Sequence, residues 1–199
     1  MKVIGLTGSI AMGKSEVAQI LRSIGIAVFD SDAEVHKFYE SNDGVALINE
    51  LIPPAIINGK VDRPTISAHV LKNPKLLSEL EKHVHAEIRK RRDDFLASER
   101  QQAKEFAALD IPLLFETGAE KQVDVTLVVS SNPELQRARA LARPGMTPEK
   151  LKMILARQMP DPEKRARADY VVENNGTKEE LRSAVLSIID QIRKSGETK

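Results

Sequence analysis

The stretch Gly5–Glu16, GLTGSIAMGKSE, decides the fold. Four residues separate Gly8 from Gly13, and Lys14 and Ser15 follow, so every fixed position of the pattern G-x-x-x-x-G-K-[ST] is filled. The apolar run KVIGLT (2–7) enters it as a buried strand. A helix is expected from Lys14 to about Ser23, stopped by Gly25. Strand, glycine-rich turn and helix in that order make a phosphate cradle. Phosphate oxygens are met by backbone N–H groups turned inward, and Gly8 and Gly13 allow the close curl that side chains would block. The helix begins at the anion, where unpaired N–H groups and the dipole favour negative charge. Lys14 supplies charge for the β- and γ-phosphates, and Ser15 a hydroxyl for Mg2+. A nucleoside triphosphate is the expected ligand.

Outward from the loop, short runs alternate with helical patterns. IAVF (26–29), AALDI (107–111), VTLVV (125–129) and DYVVE (169–173) are too short for helices and lack strict alternation. Such strands belong to a parallel sheet covered on both faces, which makes the chain α/β. Two helical excursions interrupt the sheet. The first carries Leu77, Leu80, Val84, Ile88 and Phe95 at helical spacing from about Pro74, after the Pro/Asn/Gly-rich IPPAIINGKVDRP (52–64). The second runs from Asn132 to Ala168, with RPGMT (143–147) as a turn between two helices. A last helix, about Thr177 to Lys194, presents Leu181, Val185, Ile188, Ile189 and Ile192 on one face, and the tail KSGETK (194–199) is expected to fray. The expected division is a core of about residues 1–31, 105–133 and 168–199, a helical insertion over about 32–104, and a further insertion over about 134–167.

Bulk composition narrows the partners. The 199 residues carry a net charge of +1, so the whole molecule is no electrostatic trap for nucleic acid or membrane. Aromatics make up 4% with no Trp, too few for a stacking platform on single strands. There is no cysteine, hence no disulfide, thiolate zinc site or cysteine nucleophile. No run of 18 apolar residues exists, and the start MKVIGLTGSIAMG lacks the uninterrupted apolar stretch and cleavage site of a signal peptide. A cytoplasmic enzyme of small molecules, acting as a monomer, is the expectation.

The loop alone does not name a reaction. The N-K-x-D and D-x-x-G elements of a GTPase switch are absent. A small-molecule kinase needs an acceptor site, a base for the acceptor hydroxyl and mobile cations that close over the phosphoryl group. FDSD (29–32) places Asp30 and Asp32 at the C-terminal end of the second strand, the edge where open parallel sheets bind ligands. Asp32 suits the base; Asp30 is either part of the site or the cap of the next helix. Residues 134–168 hold nine Lys/Arg against four acids, a composition that serves as a lid over ATP, a solvated face or an RNA-binding patch. His85, Arg89 and Arg92 recur at i, i+4 and i+7, a cationic stripe suited to a phosphate-bearing acceptor or simply a surface face. Asp110 is either an indirect Mg2+ partner or a core-edge residue. A nucleoside or shikimate-type kinase would share all these parts and differ only in acceptor.

Several segments in order are similar to the dephospho-coenzyme A kinase family. They are the loop after GLTG, VFDSD (28–32), HVHAEIRKR (83–91), IPLLFETG (111–118), LQRARALARPGMT (135–147) and ARQMPDPEKRARADYVVENNG (156–176). The resemblance implies a P-loop kinase core with a five-stranded parallel sheet flanked by helices, a helical CoA domain and a lid. It implies transfer of the γ-phosphate of ATP, with Mg2+, to the ribose 3′-hydroxyl of dephospho-CoA, the last step of CoA synthesis. By position, Asp32 is then the base, with Lys14 and Arg139 as further catalytic groups. Gly8, Ala11, Met12, Gly13, Lys14, Ser15, Glu16, Arg139, Arg143 and Asn174 line ATP, and Thr7, Asp32, His85 and Arg89 line the acceptor. Four features depart from the family pattern: Ser9, Ala11 and Met12 replace small loop residues, Ser31 an alanine, Ala86 a proline after His85, and Met153 a lid arginine that Arg157 could replace.

Overall fold

The computed structural model describes residues 1–197. It divides into two compact units: residues 1–29 with 102–197 form one, and residues 30–101 the other.

The first unit is built on a five-stranded sheet. β1 (Lys2–Thr7), β2 (Ala27–Asp30), β5 (Phe106–Asp110), β6 (Val125–Ser130) and β7 (Tyr170–Glu173) lie in the order β2-β5-β1-β6-β7. β1 pairs in parallel with β5 and β6, and β6 in parallel with β7. Every residue of β5 and β6 is buried, as continuous apolar runs covered on both faces require. α1 (Lys14–Ser23) and α9 (Lys178–Glu197) cover one face. Their Val17, Leu21, Leu181, Val185, Ile189 and Ile192 pack with Ile4, Leu6 and Leu127 of the sheet. Five buried apolar side chains on α9 contribute on the order of 10 kcal/mol before entropy is charged. The exposed Arg193–Glu105 pair adds about 1 kcal/mol at most, so the apolar face holds the helix. α9 runs three residues past its expected end at Lys194; of the tail expected to fray, residues 198–199 lie outside the described residues.

Between β6 and β7 stand α6 (Pro133–Leu141), α7 (Pro148–Leu155) and α8 (Asp161–Arg167). Asn132 and Thr147 cap α6 and α7, each followed by Pro at the first helical turn. The expected RPGMT turn joins them, with Gly145 at φ 71°.

The second unit is helical: α2 (Ser31–Glu40), α3 (Asn42–Leu51), α4 (Arg63–Val70) and α5 (Pro74–Gln101). Its core gathers Phe38, Ile48, Ile52, Ala55, Ile66, Leu80 and Val84. Val84 and Ile88 face inward as the spacing predicts; Leu77 is 36% exposed, and Leu76 packs against the core instead. Within the Pro/Asn/Gly-rich segment lies a hairpin that the periodicity does not announce, β3 (Ile56–Ile57) with β4 (Lys60–Val61). Asn58 and the following Gly59 both take positive φ, the signature of a type I′ turn. Two residues per strand are too few to show a period. Among the described residues, no helix is long and apolar enough to cross a membrane.

Candidate active site

The loop after β1 is fixed by its glycines. Gly13 has φ 101°, and a Cβ there would stand 1.9 Å from Asn174 Nδ2. A Cβ on Gly8 would stand 2.7 Å from the Val129 carbonyl oxygen. Both positions therefore admit no side chain, one for dihedral and space together, the other for space. Ala11 also takes a positive φ, 62°.

α1 opens on Gly13 with no side-chain cap. By contrast α2, α3, α4, α6 and α7 each begin on an Asp, Ser, Asn or Thr side chain that accepts an N–H of the first turn. α8 likewise has no side-chain cap, but only at α1 does an uncapped start follow the glycine loop, where N–H groups and dipole coincide in a way that suits an anion. Lys14 is ion-paired with Asp110, whose carboxylate is buried at the end of β5. Ser15 is exposed beside it.

The loop is braced from behind and from the side. Asn174, past β7, is buried; its Nδ2 donates to the Met12 carbonyl at 3.1 Å and to Glu16 Oε2 at 3.2 Å. The Asn174 side chain, expected to line ATP, thus bonds the loop backbone and the Glu16 carboxylate. Arg139 Nη1 donates to the Asn174 carbonyl at 2.9 Å and to Ser131 Oγ at 3.3 Å. Two glutamines straddle Ile10: its N–H donates to Gln158 Oε1 at 3.0 Å, and its carbonyl accepts Gln136 Nε2 at 3.0 Å. Ala11 packs with Ala140 of α6 and Leu151 of α7. Met12 is buried in the main core, so its bulk is absorbed beneath the loop. Thr7 is fully buried, its hydroxyl donating to the Pro112 carbonyl at 3.1 Å.

The basic segment after β6 is less free than its composition implies. Lys164 is completely buried, its Nζ 2.9 Å from Glu116 Oε1, which also accepts the Met159 N–H at 2.7 Å. Burial pushes the Glu116 carboxyl up, but Lys164, the Met159 N–H and its own N–H outweigh this and hold it below the usual carboxylate range. Arg165 pairs with Glu173, and Arg167 with Glu120. Arg143, Arg157 and Met153 are exposed.

In the helical unit, Asp30 Oδ1 accepts the Ala33 N–H at 3.0 Å, which decides its two open readings in favour of the cap. Asp32 stands exposed in the first turn of α2. His85 and Arg89 are exposed on α5, while Arg92 bonds Asp93. The arginine that ties α5 to α2 is Arg91, bonded to Glu87 at 2.8 Å and Glu34 at 3.5 Å with its guanidinium over Phe38. Sequence spacing singles out its neighbours, because an inward tilt of one residue is invisible in a run RKRR.

Among the described residues, no group of three His, Cys, Asp or Glu is placed to hold a metal. An ion at this loop would rest on the Ser15 hydroxyl, substrate phosphates and water, the way Mg2+ is commonly held. The residues present fit that group.

A parallel sheet whose first strand feeds an uncapped glycine cradle, with lysine and serine opening the next helix, defines the class of P-loop nucleotide-binding proteins. The chain belongs to the dephospho-CoA kinase family, whose model matches residues 2–180. The dephospho-CoA kinase of Agrobacterium fabrum is 50% identical over 96% of this chain and 98% of its own. The solved structure of dephospho-CoA kinase from Campylobacter jejuni is 26% identical and matches 98% of each chain at a TM-score of 0.73. A shikimate kinase from Acinetobacter baumannii, 18% identical, shares the fold at a TM-score of 0.53 over 98% of this chain and 94% of its own.

Proposed function

We propose that this protein transfers the γ-phosphate of ATP to the ribose 3′-hydroxyl of dephospho-CoA, giving CoA and ADP, as a monomeric cytoplasmic enzyme. The observation that carries the reading is the uncapped start of α1 beside Lys14, in a chain of this family.

The triphosphate lies along the N–H groups of Gly13, Lys14 and Ser15, while those of Met12 and Glu16 donate to the Ser9 and Gly13 carbonyls. Lys14 leaves Asp110 for the β- and γ-phosphates, an exchange of one carboxylate partner for phosphate oxygens. Ser15 would hold Mg2+, which when bound would supply charge neutralisation across the phosphates. Asp32 accepts the proton of the 3′-hydroxyl as its oxygen bonds to the γ-phosphorus and the bond to the β–γ bridging oxygen breaks. The leaving group is ADP. Arg139 and Arg143 offset charge on the transferring group; Arg139 first releases the Asn174 carbonyl. His85 and Arg89 steer the acceptor, Thr7 and Asn174 support the loop from beneath, and residues 134–167 act as the lid. The transition state is loose, so positioning and charge supply most of the rate.

The test is ADP release with dephospho-CoA beside adenosine, AMP and shikimate, with Lys14→Ala as the inactive control. Preference for dephospho-CoA by at least ~10²-fold in kcat/KM is expected from an added set of charged contacts. Preference for another acceptor refutes the assignment.

A further inference from the structure

The chain between β6 and β7 leaves the sheet through α6 and returns through α8, and both of its roots reach one residue of the glycine loop. At the first root, Gln136 of α6 donates its Nε2 to the Ile10 carbonyl at 3.0 Å. At the second, Gln158, in the bend between α7 and α8, accepts the Ile10 N–H on Oε1 at 3.0 Å. The polarity of both bonds is forced, because a main-chain N–H only donates and a carbonyl only accepts. With both polar groups of Ile10 held, the peptide planes on either side of it are fixed. Ala11 follows with φ 62°, a conformation that persists in a non-glycine residue where its surroundings hold it. Those surroundings are Ala140 of α6 and Leu151 of α7.

Each glutamine is also tied to something beyond Ile10. Gln158 precedes Met159, whose N–H donates to Glu116 at 2.7 Å, and Glu116 pairs with the fully buried Lys164. This root is anchored on a buried ion pair, and the Gln158 side chain carries that anchor to the loop. Gln136 and Arg139 are three residues apart and share a face of α6. Both are half-buried, whereas Arg137 and Ala138 between them are exposed. Arg139 Nη1 donates to the Asn174 carbonyl at 2.9 Å, and Asn174 Nδ2 donates to the Met12 carbonyl at 3.1 Å. α6 therefore meets the loop directly at Ile10, and at Met12 through Arg139 and Asn174.

We infer that Gln136 and Gln158 are positioning residues that clasp Ile10 from two sides and divide the work of the site between them. Gln158 fixes the loop curve that receives the triphosphate. Gln136 sets the height of α6 over that curve, and so the place of Arg139 against the transferring phosphoryl group. The inference rests on the reading of Arg139 as a group that acts on that phosphoryl.

The experiment measures kcat and the KM for ATP, with dephospho-CoA saturating. The variants are Arg139→Ala, alanine and glutamate at positions 136 and 158, and Gln136→Ala combined with Arg139→Ala. One lost hydrogen bond corresponds to about a fivefold effect. Gln136→Ala should lower kcat by about that factor, whereas Gln158→Ala should raise the KM for ATP and keep kcat. In the double variant the loss from Gln136→Ala should vanish, since the arginine it positions is gone; a merely structural loss would multiply with that of Arg139→Ala. The glutamate variants read the polarity of the clasp. Both bring one negative charge to the same residue, but only at 158 does a carboxylate keep an acceptor for the N–H. Relative to its own alanine variant, Gln136→Glu should therefore lose about fivefold more in kcat/KM than Gln158→Glu. Unchanged kcat in Gln136→Ala, multiplied losses in the double variant, or equal losses in the two glutamate variants overturns the clasp alone. Wild-type kcat in Arg139→Ala overturns the reading of Arg139 and the clasp's part in transfer. Absence of wild-type turnover overturns the kinase reading and the clasp with it.

Discussion

The nucleotide loop and the start of α2 are assigned to the two ends of one phosphoryl transfer, yet they are built by opposite means. The loop is made of backbone. Gly8 and Gly13 are pressed against Val129 and Asn174, and Asn174, Gln136 and Gln158 hold it by main-chain bonds. The α2 side is made of side chains: Asp32 is exposed, and the helix that carries it is held by the cap at Asp30, the Arg91 contacts and the packing of Phe38 in the core of the helical unit. Anion binding by N–H groups demands a rigid curve. Proton transfer from a flexible acceptor demands one carboxylate at the right height. Changes near the loop should therefore disturb stability and nucleotide binding together, and changes on α2 should disturb chemistry alone.

The largest departure is expected at the buried Lys164–Glu116 pair. Glu116→Gln leaves Lys164 buried without its carboxylate, a loss of about 3–5 kcal/mol in denaturant unfolding. Because the folded Glu116 carboxyl lies below its ordinary range, its contribution is complete above the unfolded value and vanishes as pH falls through the folded one. The gap between wild type and variant should thus begin to narrow only as pH falls below about 4, the ordinary glutamate value, and close once pH is below the lower folded value. A constant gap at all pH values would show that the carboxylate charge is not what matters.

Asp32→Asn comes next. It should lower kcat by at least ~10²-fold, about 2.7 kcal/mol, with the KM for ATP and the melting temperature unchanged. A fall in stability would erase the contrast between the two regions.

Gly13→Ala must cost about 1–2 kcal/mol for the dihedral alone, and it displaces Asn174 as well. Melting temperature and ATP affinity should fall together; one falling without the other would separate the cradle from its support. The smallest effect belongs to Gln158→Ala, which frees the Ile10 N–H. One hydrogen bond of about 1 kcal/mol corresponds to about a fivefold rise in the KM for ATP, with kcat retained. A lowered KM would mean that the glutamine competes with phosphate instead of bracing the loop.

The two regions also differ in how far they could be read from residues alone. The loop is local: the spacing of Gly8, Gly13, Lys14 and Ser15 restricts the backbone within one turn, and α1 begins and ends where the spacing predicts. Its braces are not local. Gln136 and Gln158 lie 126 and 148 residues from Ile10, and nothing in a run of polar residues marks which one turns inward. Lys164 counts in the sequence as one more base of a charged segment, although the fold seals it completely. Asp30 and Asp32 differ in position by two residues, and only the bond to Ala33 separates a cap from a free carboxylate. Asp32 itself gains its role from resemblance to the family, because an exposed acid in a first helical turn is commonplace.

The seam between β1 and α9 bears on how the molecule is made. Lys2 Nζ reaches the Ile192 carbonyl at 2.7 Å across a separation of 190 residues, and Leu181 to Ile192 supply one wall of the core under β1 and α1. Contacts so distant in order form late, because the intervening chain must be gathered before they repay its entropy. During synthesis β1 and the loop after it therefore precede the helix that closes the core beneath them. Until α9 docks, the core beneath β1 and α1 lacks one wall, so the loop between them gains its full support only once these distant residues have met.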